Sequence, residues 1–243
     1  LTFETLTATT AVRPQGSADY ERYIGTWTVT TTSSEVTGQP QTYTIRIEPY
    51  RNDKSYKVYD WGVTTLGSKE EDFPFILSYN EADGSVGINS YEDLGMYGFT
   101  YYIYLRYRFL NEQSQPSIWV SEDTLVSGAY DAASNEITIT CGTFNDNSGI
   151  TQKITGLDYV LYTGGKYYEA QNLIRPGYLI GEGDNAKVDY GVGPYKLTKA
   201  PAAAAVPAKR PAKKFESLRP ASETKQAAAV PLGVGRLSMM SVH

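Results

Sequence analysis

Few side chains in this sequence have the chemistry of the common catalytic and metal-binding groups. The single histidine is His243, the last residue, and the single cysteine is Cys141. A Ser-His-Asp triad or a Cys-His pair needs an imidazole in a fixed place, and a common zinc site needs several His or Cys ligands. We therefore predict no catalytic residues of these classes, no metal site of this kind and no cofactor. Cys141 follows an alternating apolar segment and is predicted to be a buried, unreactive thiol.

Carboxylates are the remaining candidates for acid–base chemistry, and they occur as neighbours at positions 70–72, 92–93 and 122–123. A glycosidase uses two carboxyl groups about 5–9 Å apart across a cleft. Neighbouring residues on a strand point to opposite faces, so these groups do not form such a pair and are predicted to keep turns solvated. A pair from two different strands stays open as an alternative, and with it a jelly-roll glycoside hydrolase or lyase.

Oxygen-bearing side chains also cluster at positions 145–149 and 182–189. Calcium takes oxygen ligands of this kind, although neither segment has the spacing of an EF-hand loop. Asn and Asp also build turns by bonding to their own backbone. We predict turns at both places, with calcium binding as the alternative.

The aromatic residues give the one positive indication of a binding function. Tyr alone accounts for 21 of the 243 residues. Trp61, Tyr102, Tyr104 and Trp119 are predicted to bind a ligand, either by lining a cavity or by forming a platform on which sugar rings stack. The alternative is that these four rings only pack the protein core.

These rings must be positioned by β-strands, because Thr, Tyr and apolar residues alternate along most of the chain. Turn residues separate the alternating segments, which is the pattern of an antiparallel sandwich or barrel. No window before residue 200 shows sustained helical periodicity. Strands are predicted at 26–33, 42–51, 55–61, 73–79, 85–91, 100–110, 117–120, 124–130, 136–141, 151–162 and 195–199.

The predicted strand 100–110 is long and has two different faces. One face carries Tyr101, Ile103, Leu105, Tyr107 and Phe109. The other carries Tyr102, Tyr104, Arg106 and Arg108. Because alternate residues share a face, the two sets are predicted to lie on opposite sides of the sheet.

Two segments of the chain repeat one hairpin pattern. Positions 78–88 align without gaps on positions 129–139, and each has a Tyr, then Asn or Asp, then Ala, then Gly84 or Asn135 before the next strand. Asn and Asp close turns with their side chains, and Gly or Asn tolerates a positive φ. The pattern predicts two similar hairpins.

The chain divides into three regions. Residues 1–22 are predicted to be a linker, or the end of a truncated upstream β-sandwich domain, and residues 23–199 a β-barrel. Residues 200–243 are rich in Ala, Pro and Lys and are predicted to be a disordered tail. The body is acidic, which argues against a nucleic-acid partner. No run of about 18 apolar residues occurs, so no membrane-spanning segment is predicted.

Gly25 and Trp27 open the series of strands as a Gly-x-Trp motif. Together with the repeated hairpin, this motif resembles the lipocalin-like (calycin-like) domains of secreted and surface proteins from polysaccharide-using Gram-negative bacteria. The resemblance implies an all-β, antiparallel up-and-down barrel of about 8–10 strands, in which Trp27 closes one end. It also implies export to the periplasm or cell surface, with a lipid anchor on a missing N-terminal region as one route.

Three functional hypotheses follow. The first is a non-enzymatic exported barrel that binds a small apolar or glycan ligand, because an eight-stranded barrel is just wide enough for one. The second is a filled barrel that acts as a structural or adhesion spacer in a larger surface protein. The third is the jelly-roll hydrolase or lyase described above. The sequence predicts no oligomeric state.

Overall fold

The computed structural model describes residues 15–62, 73–97, 101–169, 177–180 and 187–200. The predicted tail therefore lies outside the described residues, except for residue 200, and so do the first 14 residues. The described residues form a short helix, α1 (Ala18–Glu21), and fifteen strands. The strands are β1 (Gly25–Ser34), β2 (Thr42–Arg51), β3 (Ser55–Tyr59), β4 (Phe75–Tyr79), β5 (Ser85–Ile88), β6 (Glu92–Tyr97), β7 (Tyr101–Leu110), β8 (Pro116–Trp119), β9 (Val126–Asp131), β10 (Glu136–Cys141), β11 (Thr143–Asn145), β12 (Thr151–Thr163), β13 (Lys166–Glu169), β14 (Gly177–Ile180) and β15 (Lys187–Lys199).

Eight of these strands close into an antiparallel barrel. Their order is β1-β2-β3-β4-β5-β9-β10-β15, and β15 pairs back onto β1. Trp27 on β1 marks the closure, because it lies opposite Ile45 of β2 on one side and Lys199 of β15 on the other. The predicted all-β class and the antiparallel barrel are confirmed.

Two long strands, β7 and β12, leave the barrel and build a second sheet. Its order is β11-β12-β7-β6, with β8 added beside β7 and β13 beside β12. The chain enters this sheet between β5 and β9 and again between β10 and β15. The sequence pattern did not predict β6, β11, β13 or β14, which are short and carry little or no apolar alternation.

Apolar side chains point into the barrel and form one buried core cluster. Alternate residues of the barrel strands point inward and are buried, as the alternation predicted. The inner face of β7 joins the same apolar core, so the second sheet packs against the barrel. The largest fully buried side chains include Trp27, Tyr20, Tyr23, Tyr56, Tyr107, Tyr195 and Phe75.

Two tyrosines at and just after α1 cover one end of the barrel. Tyr20 stacks on Tyr56, with ring centroids 4.3 Å apart, and its hydroxyl donates to the Ser55 carbonyl at 2.8 Å. Tyr23 donates its hydroxyl to the Gly84 carbonyl at 2.6 Å. Ser17 caps the helix by accepting from the Tyr20 amide. Residues 15–22 of the predicted linker thus pack onto the barrel.

The Gly-x-Trp motif sits at this same end. Trp27 is fully buried, and its indole N–H donates to the Tyr23 carbonyl at 2.7 Å. The Lys199 ammonium lies 4.0 Å from the centre of the Trp27 ring and donates to the Ile24 carbonyl at 2.7 Å. Gly25 has φ of 131°, and a Cβ there would lie 3.2 Å from Lys199 Nζ. The motif therefore needs glycine for its backbone and for the close approach of this cation.

The two predicted hairpins are confirmed as β4–β5 and β9–β10. Gly84 and Asn135 have φ of 71° and 56°, as the turn residues required. Tyr79 and Tyr130, the equivalent tyrosines of the two hairpins, both pack against the Tyr23 ring, with centroids 6.0 and 6.1 Å away. The repeated pattern thus supplies two matching contacts to the residue that covers the barrel end.

Candidate functional site

The four aromatic residues predicted to bind a ligand separate into two pairs. Trp61 is only 4% exposed and lies edge-on to Tyr43, Phe75 and Tyr195. Trp119 stacks on Phe144 with centroids 4.3 Å apart. Both tryptophans therefore pack against the core. Tyr102 and Tyr104 instead lie together on the outer face of the second sheet.

The outer face of the second sheet carries a row of one methionine and three tyrosines that crosses four strands. Met96 of β6 lies opposite Tyr102 of β7, Tyr102 opposite Tyr162 of β12, and Tyr162 opposite Tyr167 of β13. Tyr104 stands one pair further along β7 on the same face. We call these five residues the tyrosine platform. Strands lie ~4.8 Å apart, so the row is on the order of 14 Å long.

The rings of the platform contact one another and remain open to solvent. Tyr102 and Tyr104 have nearly parallel planes, with centroids 6.3 Å apart and an angle of 13°. Tyr162 and Tyr167 have centroids 4.9 Å apart, and Tyr104 lies edge-on to both. Tyr102 is 41% exposed and Met96 is 47% exposed. Beneath them, Val160 and Ile118 are buried and support the platform.

Arg106 lies under the platform and is almost completely buried. Its guanidinium carbon is 4.3 Å from the centre of the Tyr104 ring and 5.5 Å from that of Tyr167. Nη1 donates to the carbonyls of Ser90 at 2.7 Å and of Leu105 at 2.8 Å. A cation thus lies against the aromatic faces, which attract it through their negative ring quadrupoles.

Arg108, two residues further along β7, is held by carboxylates. Its Nε and Nη2 donate hydrogen bonds to the Glu35 carboxylate at 2.9–3.1 Å, and Nη1 donates to Asp158 at 2.7 Å. The Tyr190 ring covers the guanidinium at 3.5 Å. Burial alone would lower the pKa of Arg108, but Asp158, Tyr190 and Glu35 outweigh it and raise that pKa. Glu35 directly follows β1, and Asp158 lies on β12. Both carboxylates are buried, so a glycan could not reach them as a catalytic pair.

A groove of about 650 Å³ lies elsewhere, between the outer face of β2–β4 and β6. Tyr50, Lys57, Tyr59 and Glu92 are among its lining residues. Glu92 accepts the Ile76 amide with both carboxylate oxygens at 3.0 Å. Only Ser78 and Tyr79 of β4 pair with β5, so the Glu92 carboxylate provides the acceptor for the Ile76 amide. Burial raises the pKa of Glu92 to about 7, although the Ile76 amide opposes this shift.

Replacing Glu92 should change how stability depends on pH. The folded pKa of about 7 exceeds the ordinary 4.5, so the folded state keeps a proton that the unfolded state releases, and stability falls as pH rises between these values. Glu92→Gln keeps an acceptor for Ile76, so we expect it to be more stable than the wild type at pH 8, by ~1–2 kcal/mol after allowance for partial exposure. Urea unfolding from pH 4.5 to 8 measures the difference.

The control for this prediction is Glu81→Gln, which changes an exposed carboxylate in the β4–β5 turn. Its difference from the wild type should stay constant over the same range. A Glu92→Gln difference that does not grow between pH 4.5 and 8 would show that the carboxylate is charged throughout.

Two other groups that the sequence analysis considered are the Cys141 thiol and the oxygen-rich segment 145–149. Cys141 is partly buried, and burial raises the pKa of its thiol to about 12 against the opposing effect of Lys153, so the thiol is protonated at neutral pH. Asp146 accepts the amides of Ser148 and Ile150, which confirms a side-chain-closed turn at 145–149. Residues 70–72 and 182–186 lie outside the described part of the chain.

Comparisons with protein-family models, with curated proteins and with solved structures find no match to this chain. Within the described residues, no helix is long and apolar enough to cross a bilayer. The tyrosine platform and its surroundings give the strongest indication of function within the described residues. Sequence reasoning identified Tyr102 and Tyr104 of this platform but not Met96, Tyr162 or Tyr167.

Proposed function

We propose that this protein binds a glycan on the tyrosine platform and that the filled barrel is its rigid support. The observation that carries the proposal is the row of Met96, Tyr102, Tyr162 and Tyr167 in register across four strands. Tyr rings present apolar faces that stack on sugar rings and hydroxyls that bond to sugar hydroxyls. A row on the order of 14 Å long suits a short stretch of oligosaccharide better than one monosaccharide.

The exposed face supports a glycan better than the barrel interior supports an apolar ligand. The side chains that would line a cavity are packed together in the core, and Trp61 belongs to that packing. Tyr20 and Tyr23 cover one end of the barrel. The proposal therefore combines two hypotheses from the sequence. The glycan ligand comes from the first, with its site on the outer surface, and the filled barrel comes from the second.

The lipocalin-like family and the export of the protein stay part of this proposal. The family is supported by an eight-stranded barrel whose first strand carries Gly25 and Trp27, with Lys199 over the Trp27 ring. Location in the periplasm or at the cell surface rests on the sequence resemblance alone. The described strands form a closed barrel and a second sheet, an architecture that gives no support to a jelly-roll hydrolase.

Removing one ring of the platform should weaken glycan binding without unfolding the protein. Tyr102 is 41% exposed, so Tyr102→Ala should cost less than ~1 kcal/mol of stability. The loss of one aromatic stacking contact should weaken binding ~10-fold or more. Biolayer interferometry with immobilised oligosaccharides, both neutral and acidic, measures the affinity.

Tyr50→Ala is the matched control, because Tyr50 is similarly exposed, at 48%, but lies on the outer face of the barrel. It should bind as the wild type does. Equal affinities of the wild type and Tyr102→Ala for every oligosaccharide bound would place the site elsewhere. If no oligosaccharide binds at all, the spacer hypothesis replaces this one.

A further inference from the structure

One edge of the buried Arg106 guanidinium makes no well-formed hydrogen bond to the part of the chain that the structure describes. An arginine side chain has five N–H groups. The N–H groups of Nη1 are directed to the carbonyls of Ser90 and Leu105, and the backbone carbonyl oxygen of Glu92 lies 3.5 Å from Nη1. Among the described residues, Nε has no hydrogen-bond partner, and Nη2 has only the Tyr167 hydroxyl at 3.5 Å, beyond the usual range of about 2.7–3.2 Å.

Arg106 also lacks a carboxylate partner among the described residues. The ion pairs found there involve Arg22, Arg46, Arg108 and Lys196 but not Arg106. An isolated buried charge is costly unless it is paired, and Arg106 is only 4% exposed. The aromatic contacts offset part of this cost but supply no acceptor for the Nε–Nη2 edge.

Arg108 shows what this edge binds on the same strand. The Nε and Nη2 atoms of Arg108 hold the Glu35 carboxylate side-on, in the two-bond geometry that a planar guanidinium offers to a carboxylate. The two arginines face the same side of β7, two residues apart. The difference between them is that the described residues supply carboxylates to Arg108 and none to Arg106.

The incomplete edge of Arg106 lies against the tyrosine platform. Its guanidinium is stacked over Tyr104, and its Nη2 is turned towards the Tyr167 hydroxyl. Tyr167 stands on the four-residue strand β13, directly after a turn at Gly164 and Gly165. A rotation of the Tyr167 side chain would therefore uncover the Nε–Nη2 edge from the platform side.

We infer that the platform takes an acidic glycan, and that the carboxylate of a uronic acid residue binds the Nε–Nη2 edge of Arg106 while neighbouring sugar rings stack on Tyr102 and Tyr162. This inference rests on the proposed function and names its ligand class. Asp93 stands in line with Tyr104 on β6, but its carboxylate is turned to the Gly95 amide, 2.8 Å away.

The test compares acidic oligosaccharides with their own neutral forms. Oligomers of galacturonate, of alginate and of hyaluronate are immobilised next to the same oligomers after reduction of their carboxyl groups to alcohols. We expect the wild-type chain to bind at least one acidic oligomer ~10-fold or more tightly than its reduced form, because a two-bond charged contact is lost. Added salt should weaken only the acidic interaction, since it screens the charges.

The Arg106→Lys variant keeps the charge but not the fork, so we expect it to lose the preference for the acidic form and to keep affinity for the reduced one. Far-UV circular dichroism confirms that the variant is folded, and the comparison of oligomers on the wild type needs no variant. Equal binding of acidic and reduced oligomers, with both lost in Tyr102→Ala, would overturn this inference but leave the proposed function intact. No binding of either form would contradict both.

Discussion

Arg108→Met is expected to lower the free energy of unfolding by ~3–5 kcal/mol, the cost of breaking a buried ion pair from one side. Glu35 and Asp158, which have side chains only 7% and 0% exposed, would lose the partner that neutralises them. Methionine fills a similar volume but offers neither charge nor N–H donors. Two carboxylates left in a region of low dielectric must then take up protons or draw in water.

Urea unfolding followed by tryptophan fluorescence measures this loss, and Arg106→Met is its matched control on the same face of β7. Arg106 has no carboxylate partner among the described residues, so its removal leaves no buried negative charge behind. We expect Arg106→Met to cost less than ~1.5 kcal/mol, the value of ordinary hydrogen bonds. Lys196→Met, in an exposed pair with Glu136, should cost less than ~1 kcal/mol.

A second substitution identifies the cause of the Arg108 effect. If the cost comes from unpaired carboxylates, Arg108→Met combined with Glu35→Gln should be more stable at pH 7 than Arg108→Met alone, because one buried charge is gone. Equal costs for Arg106→Met and Arg108→Met would contradict the assignment of the ion pairs, and with it the contrast on which the acidic ligand is inferred.

The alternation of the sequence was sufficient to place Tyr102, Tyr104, Arg106 and Arg108 on one face of a long strand, because side-chain direction has a period of two residues. It could not show which arginine is paired. Glu35 and Asp158 lie 73 and 50 residues away from Arg108 along the chain. Such contacts depend on how the sheets pack, and no local pattern records them.

The missed half of the platform had a weak local signal. Tyr167 follows Thr163, Gly164 and Gly165, and paired glycines between alternating segments are typical of a tight hairpin. β13 has only four residues, too few for the alternation to be recognised. Met96 was missed because β6 contains Gly95 with φ of 112° and a register shift beside it. The fold was thus predictable from its long strands. The part of the candidate site that lies on short edge strands was not predictable.

Trp61→Ala is expected to destabilise the protein by ~3–5 kcal/mol, as large-to-small changes of buried aromatic residues do. The Trp61 ring is 5.0 Å from that of Tyr195, 5.6 Å from that of Phe75 and 5.9 Å from that of Tyr43. Its removal takes away three edge-on aromatic contacts as well as the buried area. Urea unfolding followed by far-UV circular dichroism measures the loss, since this variant lacks one of the tryptophans that report by fluorescence.

The same substitution distinguishes a filled barrel from a ligand cavity. With Trp61 in place, an environment-sensitive apolar fluorophore should find no saturable site in the barrel. A new space lined by aromatic rings would allow Trp61→Ala to bind it, since apolar cavities accept apolar ligands. Affinity for the oligosaccharides that bind the platform should stay unchanged, because Tyr102 lies on the outer face of the other sheet. Saturable fluorophore binding to the wild type that Trp61→Ala abolishes would instead return the ligand to the barrel interior.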